Sequence, residues 1–412
     1  MLYGFELKYT GIVESSMLKF FLIFLAVGFA FLTKYLDIPV LLEAAQGVSS
    51  MFIGLLKLVG IPMIFLSVMS TFSGLSGLKD AKSLIGSTIF YALATTTVAA
   101  LIGLCLYIVI APAQGINISE VSDSSSVMDW DYGAHLMSVF PDNFVRIFLD
   151  NNVIGCIGVS FLLGAGCLFI EDEQRAFLSK FFSAMFEVFL RAAGFLTYLM
   201  PLAVWGFMTV FLCMPQGQDF SNGLTKYVLC VMLANAIQAV IVLPGLLMAK
   251  GIPVIPTLKA VLPSLVTAFF SRSSVVALPV TIKCVNEGLG ESKRVTSFVL
   301  PLCASINMNA CASFILITVL FVCEVNLHSF SFMEILIWVI FAIGGAVGNA
   351  GVPMGCYFMV MSYLTYMKVP LHVMGLILPM YSILDMFETA LNVWSDICVT
   401  RVIGRKHQAI SS

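Results

Sequence analysis

Apolar residues in this chain run in long blocks separated by short polar or glycine- and proline-rich gaps. A helix needs about 20 apolar residues to cross the ~30 Å hydrocarbon core of a bilayer. Blocks of that size recur from Phe20 onward, at about 17–36, 46–76, 84–112, 152–170, 182–213 and 225–249. The short alternating strands of a membrane barrel are not the pattern here. The second and fifth blocks exceed one perpendicular crossing, which predicts tilt, and Pro62 and Pro201 are expected to interrupt them.

After residue 250 the pattern changes. The apolar stretch 253–281 is broken by Pro253, Pro256, Pro263, the cluster Ser271-Arg272-Ser273-Ser274 and Pro279. The stretch 331–366 is broken by Gly344-Gly345-Ala346-Val347-Gly348-Asn349-Ala350-Gly351-Val352-Pro353-Met354-Gly355. Each has the length of two half-crossings with a non-helical tip. Irregular backbone at membrane depth survives only where protein or a wet cavity surrounds it. A full span follows each: 296–322, with Asn307-Met308-Asn309, and 373–402. Two interrupted segments, each followed by a full span with buried polar residues, form the pattern of an inverted repeat around a midplane site. Two ordinary kinked helices would leave Arg272 in lipid.

The last span carries Asp385, Glu388, Thr389, Asn392 and Asp396. Their spacing puts them on one helical stripe, with Leu384, Met386, Phe387, Leu391, Val393 and Trp394 on the other faces. A charge near the bilayer centre costs about 3 kcal/mol or more, so such acids face a protein interior or a wet cavity. Helix seams ordinarily use Ser and Thr, and an acid stripe therefore points to a pathway or a binding site.

Composition agrees. Of 412 residues, 60% are hydrophobic and 11% charged, against about 25% charged in soluble domains; mean hydropathy is +1.01. The chain is expected to be an all-α polytopic membrane protein. A net charge of −2 without a basic patch argues against nucleic acid. The 11 cysteines form no C-x-x-C and lie mostly in apolar blocks, where they act as small apolar residues, and the four histidines are scattered. The first block lacks a cleavage-site pattern and many spans follow, so it is expected to be a mature helix. Lys79, Lys82, Arg175, Lys180, Lys250, Lys283, Lys293, Arg294, Arg401, Arg405 and Lys406 fall between or after spans, whereas 113–145 carries Glu120, Asp123, Asp129 and Asp131 and no Lys or Arg. The positive-inside rule then puts both termini in the cytoplasm and 113–145 outside.

The chemistry follows from donor types. Na+ is a hard cation that takes oxygen ligands; broken helices supply carbonyls, and Asn307, Asn392 and Asp396 supply side-chain oxygens on adjacent spans. Thr95 and Thr96 are further oxygen donors, although spacing alone favours helix packing for the run Thr95-Thr96-Thr97. A half-helix starting in Ser271–Ser274 would favour a carboxylate. Asp385 is suited to an ammonium, or is neutralised by Arg272. A zwitterion site beside cation sites describes amino-acid symport.

These residues resemble the dicarboxylate/amino acid:cation symporter family, which contains the glutamate and neutral amino-acid transporters. The likeness spans nearly the whole chain. Leu55-Leu56-Lys57-Leu58-Val59-Gly60-Ile61-Pro62-Met63-Ile64-Phe65 looks like its second helix, and Ser271-Arg272-Ser273-Ser274 with Leu278-Pro279 like its first re-entrant tip. Asn307-Met308-Asn309 resembles the Asn-Met-Asp of the seventh helix, Ala350-Gly351-Val352-Pro353 the second tip, and Asp385, Met386, Thr389, Asn392, Val393 and Asp396 the eighth helix. The resemblance implies eight transmembrane helices plus two re-entrant helical hairpins with inverted repeats, assembled as a homotrimer. It implies scaffold helices one and two in 1–77, transport-domain helix three in 78–113, an external loop and scaffold helices four and five in 114–221, and the remaining transport domain in 222–412, moving as an elevator. By position, Asp385 would hold the substrate amino group; Thr389, Asn392, Cys311 and Val352 would complete the pocket; Ser273 and Ser274 would receive the α-carboxylate. Asn307, Asn309, Asn392, Asp396 and the Cys303 carbonyl would bind Na+, and Thr95 and Thr96 match a third cation site.

Four departures bear on substrate. Glu388 stands where members with acidic substrates have an Arg, and a Glu would repel a side-chain carboxylate unless it is protonated or paired locally, as with Arg272. A neutral or polar amino acid is therefore expected, with a cationic one second. Asn309 replaces an Asp, which removes charge from a cation site and predicts fewer coupled Na+. Tyr381 replaces a further acid. Met354 and Cys356 replace glycines, and Cys311 a Thr. The alternatives are H+ coupling, a glutamate or dicarboxylate substrate, an anion channel, or an intramembrane enzyme. The last needs two carboxylates in near contact, whereas Asp385 and Asp396 are about 16 Å apart at 1.5 Å per residue. The chain is thus expected to be no enzyme, and to sit in the cell membrane (the inner one in a Gram-negative source).

Overall fold

The structure, a computed structural model, describes residues 21–74, 78–116, 141–213, 218–326, 328–349 and 354–411. Every regular element among them is helical. In chain order these are α1 (Phe21–Leu36), α2 (Pro39–Ser73), α3 (Leu78–Ile110), α4 (Val153–Cys167) and α5 (Asp172–Cys213). A single turn at Arg146–Leu149 precedes α4. Then follow α6 (Gln218–Ile237), a π-helical turn at Gln238–Val242 and α7 (Leu243–Ala249). The last third holds α8 (Val254–Ser271), α9 (Ser274–Lys283), α10 (Lys293–Ile306), α11 (Asn309–Val325), α12 (Phe332–Gly348), α13 (Gly355–Tyr366) and α14 (His372–Ser411).

Among the described residues six helices are long and apolar enough to cross a bilayer: α2, α3, α6 continued through α7, α8, α10 with α11, and α14. A seventh appears if the two halves of α5, bent by 50° between Leu196 and Tyr198, count as one span. The bend lies one turn before Pro201, whose missing N–H and ring free the carbonyl four residues upstream. Pro62 behaves differently from expectation. α2 runs unbroken through it, because one lost hydrogen bond is tolerated in a helix clasped along its length by α4 and α5. Length alone gives six or seven spans, and α1, α4 and α12 are shorter apolar helices. The chain is a multi-pass helical membrane protein.

Two packing groups position the site. α2 lies along α5 and α4. The contact with α5 is close at Gly206, where a Cβ would stand 2.8 Å from the Ala45 carbonyl. The second group interlocks. The helical pair α8–α9 packs against α14, while the pair α12–α13 packs against α11. Each interrupted pair therefore leans on the full span that follows the other one. α10–α11 sits at the centre, and the most apolar stretch of that span is entirely buried.

The ends of the first pair are tied down by α14. Arg401 donates to Glu291 and, at 3.4 Å, to the Leu289 carbonyl, both in the loop after α9. Arg405 donates to the carbonyl of Gly251, just before α8. Gly251 has φ +65°, and the guanidinium of Arg405 fills the place of a side chain.

Two glycines test the α2–α5 contact. Gly206→Ala is expected to lower the stability of the detergent-purified protein by about 1–3 kcal/mol, the usual effect of overpacking. Gly54→Ala on α2, where a Cβ meets nothing within 4 Å, is expected to be neutral or to stabilise by up to ~1 kcal/mol through helix propensity. Thermal unfolding midpoints of the two variants check this, and equal shifts would contradict the close approach.

Candidate functional site

The site begins with a break in a buried helix. Asn307 and Met308 leave helical geometry, at φ −101°, ψ 72° and φ −107°, ψ 67°, between α10 and α11. Both are buried. A buried backbone group without a partner costs about 1–3 kcal/mol, so neighbours must serve this segment. The Asn307 N–H returns to the Cys303 carbonyl at 2.8 Å. The Ala310 N–H donates to Asn392 Oδ1 on α14 at 3.0 Å.

The side chains of the break form a closed network. Thr95 and Thr96 on α3 donate to Asn307 Oδ1 at 3.2 Å and to Asn309 Oδ1 at 2.9 Å. Asn307 Nδ2 donates to Asp396 Oδ1 and to Ser395 Oγ, each at 2.9 Å. Asn309 Nδ2 also donates to Ser395 Oγ. The π-helical turn after α6 presents Gln238, whose Nε2 reaches the Thr95 carbonyl at 3.1 Å. Amide orientations here follow from the network itself. Of the expected cation ligands, Thr95, Thr96, Asn307, Asn309 and Asp396 meet in it, while the Cys303 carbonyl and Asn392 serve the backbone of the break. Their oxygens are engaged in hydrogen bonds, so a cation bound there would displace threonine hydroxyl protons and turn the amides.

The first tip arrives from α8–α9. Arg272 takes a left-handed conformation (φ 52°) that ends α8, and Ser273 caps α9 by accepting the Val276 N–H at 3.3 Å. This N-terminus, with Ser274 buried on its first turn, faces α14 across a small chamber. The second tip is described up to Asn349 and again from Met354, which has φ 57°. Val352, with the rest of Ala350–Pro353, lies outside the described residues. Asn349, Gly355 and Cys356 on its flanks line the same chamber.

α14 supplies the charge. Asp385 is buried; its Oδ1 accepts from Tyr381 at 3.4 Å, and its Oδ2 has no hydrogen-bond partner. Thr389 donates its hydroxyl to the Asp385 carbonyl at 2.7 Å. Glu388 is 1% exposed, and no N–H or O–H reaches either of its oxygens. Among the described residues no ion pair joins Arg272 to Glu388, so local neutralisation of Glu388 by Arg272 is not what the structure shows. Arg272 is instead the cation facing Asp385. Asn392 Nδ2 points at the Met308 and Cys311 sulfurs, at 3.4 and 3.3 Å. The chamber has about 30 Å³ open to the centre of a water molecule, room for two or three waters at ~10–15 Å³ each.

The chamber thus joins Ser273, Ser274, Cys311, Asp385, Glu388, Thr389 and Asn392. The adjoining network holds Thr95, Thr96, Cys303, Asn307, Asn309 and Asp396. Sequence reasoning missed Ser395, Gln238, Met308 and Asn349. Ser395 stands three residues after Asn392, on the acid stripe, and that spacing was a usable signal. Gln238 is placed by a π-helical turn that periodicity does not reveal.

A multi-pass helical protein that encloses two acids, a helix N-terminus and a network of oxygens at a broken helix has the anatomy of a membrane carrier for polar solutes. The chain belongs to the sodium:dicarboxylate symporter family, which it matches over residues 18–406. It is 25% identical over 401 residues to the neutral amino acid transporter B(0) of Bos taurus, a match covering 87% of this chain and 72% of that protein. It is 25% identical to the C4-dicarboxylate transport protein of Paracoccus denitrificans, covering 89% and 82%. To the proton/glutamate-aspartate symporter of Escherichia coli K12 it is 27% identical, covering 86% and 83%. Its relatives are transporters, and the family couples transport of dicarboxylates or amino acids to a cation.

Ser395 gives a test of the network. Ser395→Ala leaves two buried amide donors without their shared acceptor and is expected to lower stability by about 1–3 kcal/mol. Ser395→Thr, which keeps the hydroxyl, should lower it less. Chemical unfolding of the two variants in detergent decides; equal losses would mean that the hydroxyl is not an acceptor.

Proposed function

We propose that this protein is a Na+-coupled symporter of an amino acid, with a neutral or polar substrate preferred over glutamate and aspartate. The observation that carries the reading is Glu388: a buried acid in the chamber, met by no basic group, where the family resemblance leads one to expect an arginine. Asp385 Oδ2 is the receptor for the substrate ammonium. The N-terminus of α9, with Ser273 and Ser274, is the receptor for the α-carboxylate, because helix N-termini favour anions. Thr389, Asn392 and Cys311 flank the substrate, and the resemblance adds Val352, which lies outside the described residues, to the pocket. An ionised Glu388 leaves no acceptable place for a second substrate carboxylate. It favours a cationic side chain instead, which is the second reading.

The cation sites draw on Thr95, Thr96, Asn307, Asn309, Asn392, Asp396 and the Cys303 carbonyl. That carbonyl accepts the Asn307 N–H and keeps a second lone pair. Asn309, neutral where the resemblance suggests an acid, supports a smaller Na+ count. H+ coupling is the competing choice, since one relative is named a proton symporter.

In the transport cycle, residues 1–77 and 114–221 act as a trimeric scaffold, and 78–113 with 222–412 as the moving body of an elevator. The two helical pairs are re-entrant hairpins, which with eight transmembrane helices complete the fold, and the second hairpin is the outer gate. The crossed packing of α8–α9 on α14 and of α12–α13 on α11 supports this reading. It couples both tips to the two spans that carry substrate and cations. Both termini are cytoplasmic and the membrane is that of the cell.

Uptake into proteoliposomes, with Na+ and pH gradients varied separately, tests the proposal. Neutral or polar amino acids should compete for uptake, with glutamate and aspartate about 100-fold weaker, a difference of ~3 kcal/mol. Glu388→Arg should improve glutamate relative to neutral substrates. Strong glutamate transport that persists unchanged in Glu388→Gln would sink the selectivity argument. Acceleration by substrate on the far side separates a carrier from a pore.

Asn309→Asp should raise the number of Na+ ions carried per substrate, read from reversal potentials at varied Na+. An unchanged ratio would count against Asn309 as a cation ligand.

A further inference from the structure

The chamber holds a cluster whose chemistry does not suit Na+. Cys311 on the first turn of α11, Cys356 on the first turn of α13 and Glu388 on α14 each bring one ligand atom within 4.8 Å of the other two. The three are buried, at 4%, 3% and 1% exposure. Both Glu388 oxygens lack an N–H or O–H partner and face the same chamber. Asn392 Nδ2 lies 3.3 Å from Cys311 Sγ. Hard cations avoid sulfur, whereas two thiolates and a carboxylate match borderline and soft divalent ions.

We propose that Cys311, Cys356 and Glu388 form a binding site for a divalent cation of the zinc class, such as Zn2+ or Cd2+, independent of the Na+ sites. Zn–S bonds of about 2.3 Å and Zn–O bonds of about 2.1 Å set tetrahedral ligand separations near 3.6 Å. Closing from within 4.8 Å takes side-chain shifts of about 1 Å. Three protein ligands leave the fourth position toward the chamber, for water or for the amine or carboxylate of a bound amino acid. Loading releases two thiol protons and leaves a complex of charge −1 (+2 − 1 − 1 − 1). Arg272 lines the same chamber and faces that charge.

The three ligands come from three elements. The ion would clamp α13 to α11 and α14. A loaded site therefore holds the chamber shut. All three ligands are residues at which this chain departs from the pattern of the family it resembles, so the clamp is a property of this chain rather than of the family.

The purified full-length protein, reduced and then freed of reductant, is titrated with Cd2+, whose thiolate complexes absorb in the ultraviolet. One equivalent per chain should produce the thiolate-to-cadmium band. Cys311→Ser with Cys356→Ser, which keeps the other nine cysteines, should abolish it. Glu388→Gln should weaken binding by more than the roughly 10–100-fold that loss of a merely supporting residue gives. No band in the wild type, or a band that survives in the double variant, overturns the site.

If the double variant does not fold, the wild type decides alone. Zn2+ should protect Cys311 and Cys356 together from alkylation in detergent, read residue by residue by mass spectrometry, and equal alkylation with and without Zn2+ overturns the proposal. Uptake in proteoliposomes should fall at least tenfold with bound Cd2+ and recover with chelator. Unchanged uptake at full occupancy overturns the clamp and leaves the transport reading standing.

Discussion

The break at Asn307–Met308 is the constraint from which the rest follows. It sits in the most buried span among the described residues, where backbone groups freed from a helix are costly unless protein or enclosed water serves them. Each group there needs a protein partner, and each partner fixes an element. Asn392 fixes α14 against the Ala310 N–H. Thr95 and Thr96 fix α3 against the two asparagine side chains. Ser395 and Asp396 hold the amide ends. The helical pairs then close the polar region from both sides, each leaning on the span that follows the other. Residues that look functional are structural for the same reason, because without them the break is unsatisfied.

That double duty explains how much was readable in advance. Apolar blocks gave the helices, since lipid imposes one helical solution on each block, but α2 begins at Pro39 rather than near residue 46 and α6 at Gln218 rather than near 225. α5 begins at Asp172 rather than near residue 182 because its first turns carry Asp172, Glu173, Arg175 and Lys180, and hydropathy does not register a charged helix outside the apolar core. The interruption expected at Pro62 did not appear, because packing along α2 outweighs one lost hydrogen bond. The stripe from Asp385 to Asp396 was legible since charges in a greasy helix stand out. Ser395 stands on the same stripe, but its spacing does not mark it as an acceptor, since a serine can satisfy itself within its own helix. Periodicity finds the polar face of a span but cannot name the face it meets; the crossed packing of the two pairs needed coordinates.

Thr95 and Thr96 show why packing and cation-binding readings of one pair of residues do not compete. Both hydroxyls donate to the asparagines, which is the packing role that spacing suggested. A hydroxyl that rotates its proton away offers lone pairs from the same position. The proton-linked network and the proposed cation sites therefore draw on the same oxygens.

Charge in the chamber sets what it can accept. Its lining carries Arg272 against Asp385 and Glu388, one positive and two negative groups, for a net −1 when all are ionised. A zwitterion adds no net charge, and in the proposed reading its ammonium and carboxylate would meet Asp385 and the α9 N-terminus. A dicarboxylic amino acid would bring the chamber to −2 in a region of low dielectric, where unpaired charge is expensive. A basic amino acid would bring it to zero. A divalent cation that displaced two thiol protons would leave it at −1, so its hold would come from thiolate and carboxylate bonds rather than from relief of charge. Both occupants rest on Glu388, the acid that the family pattern does not call for and that no N–H or O–H among the described residues reaches.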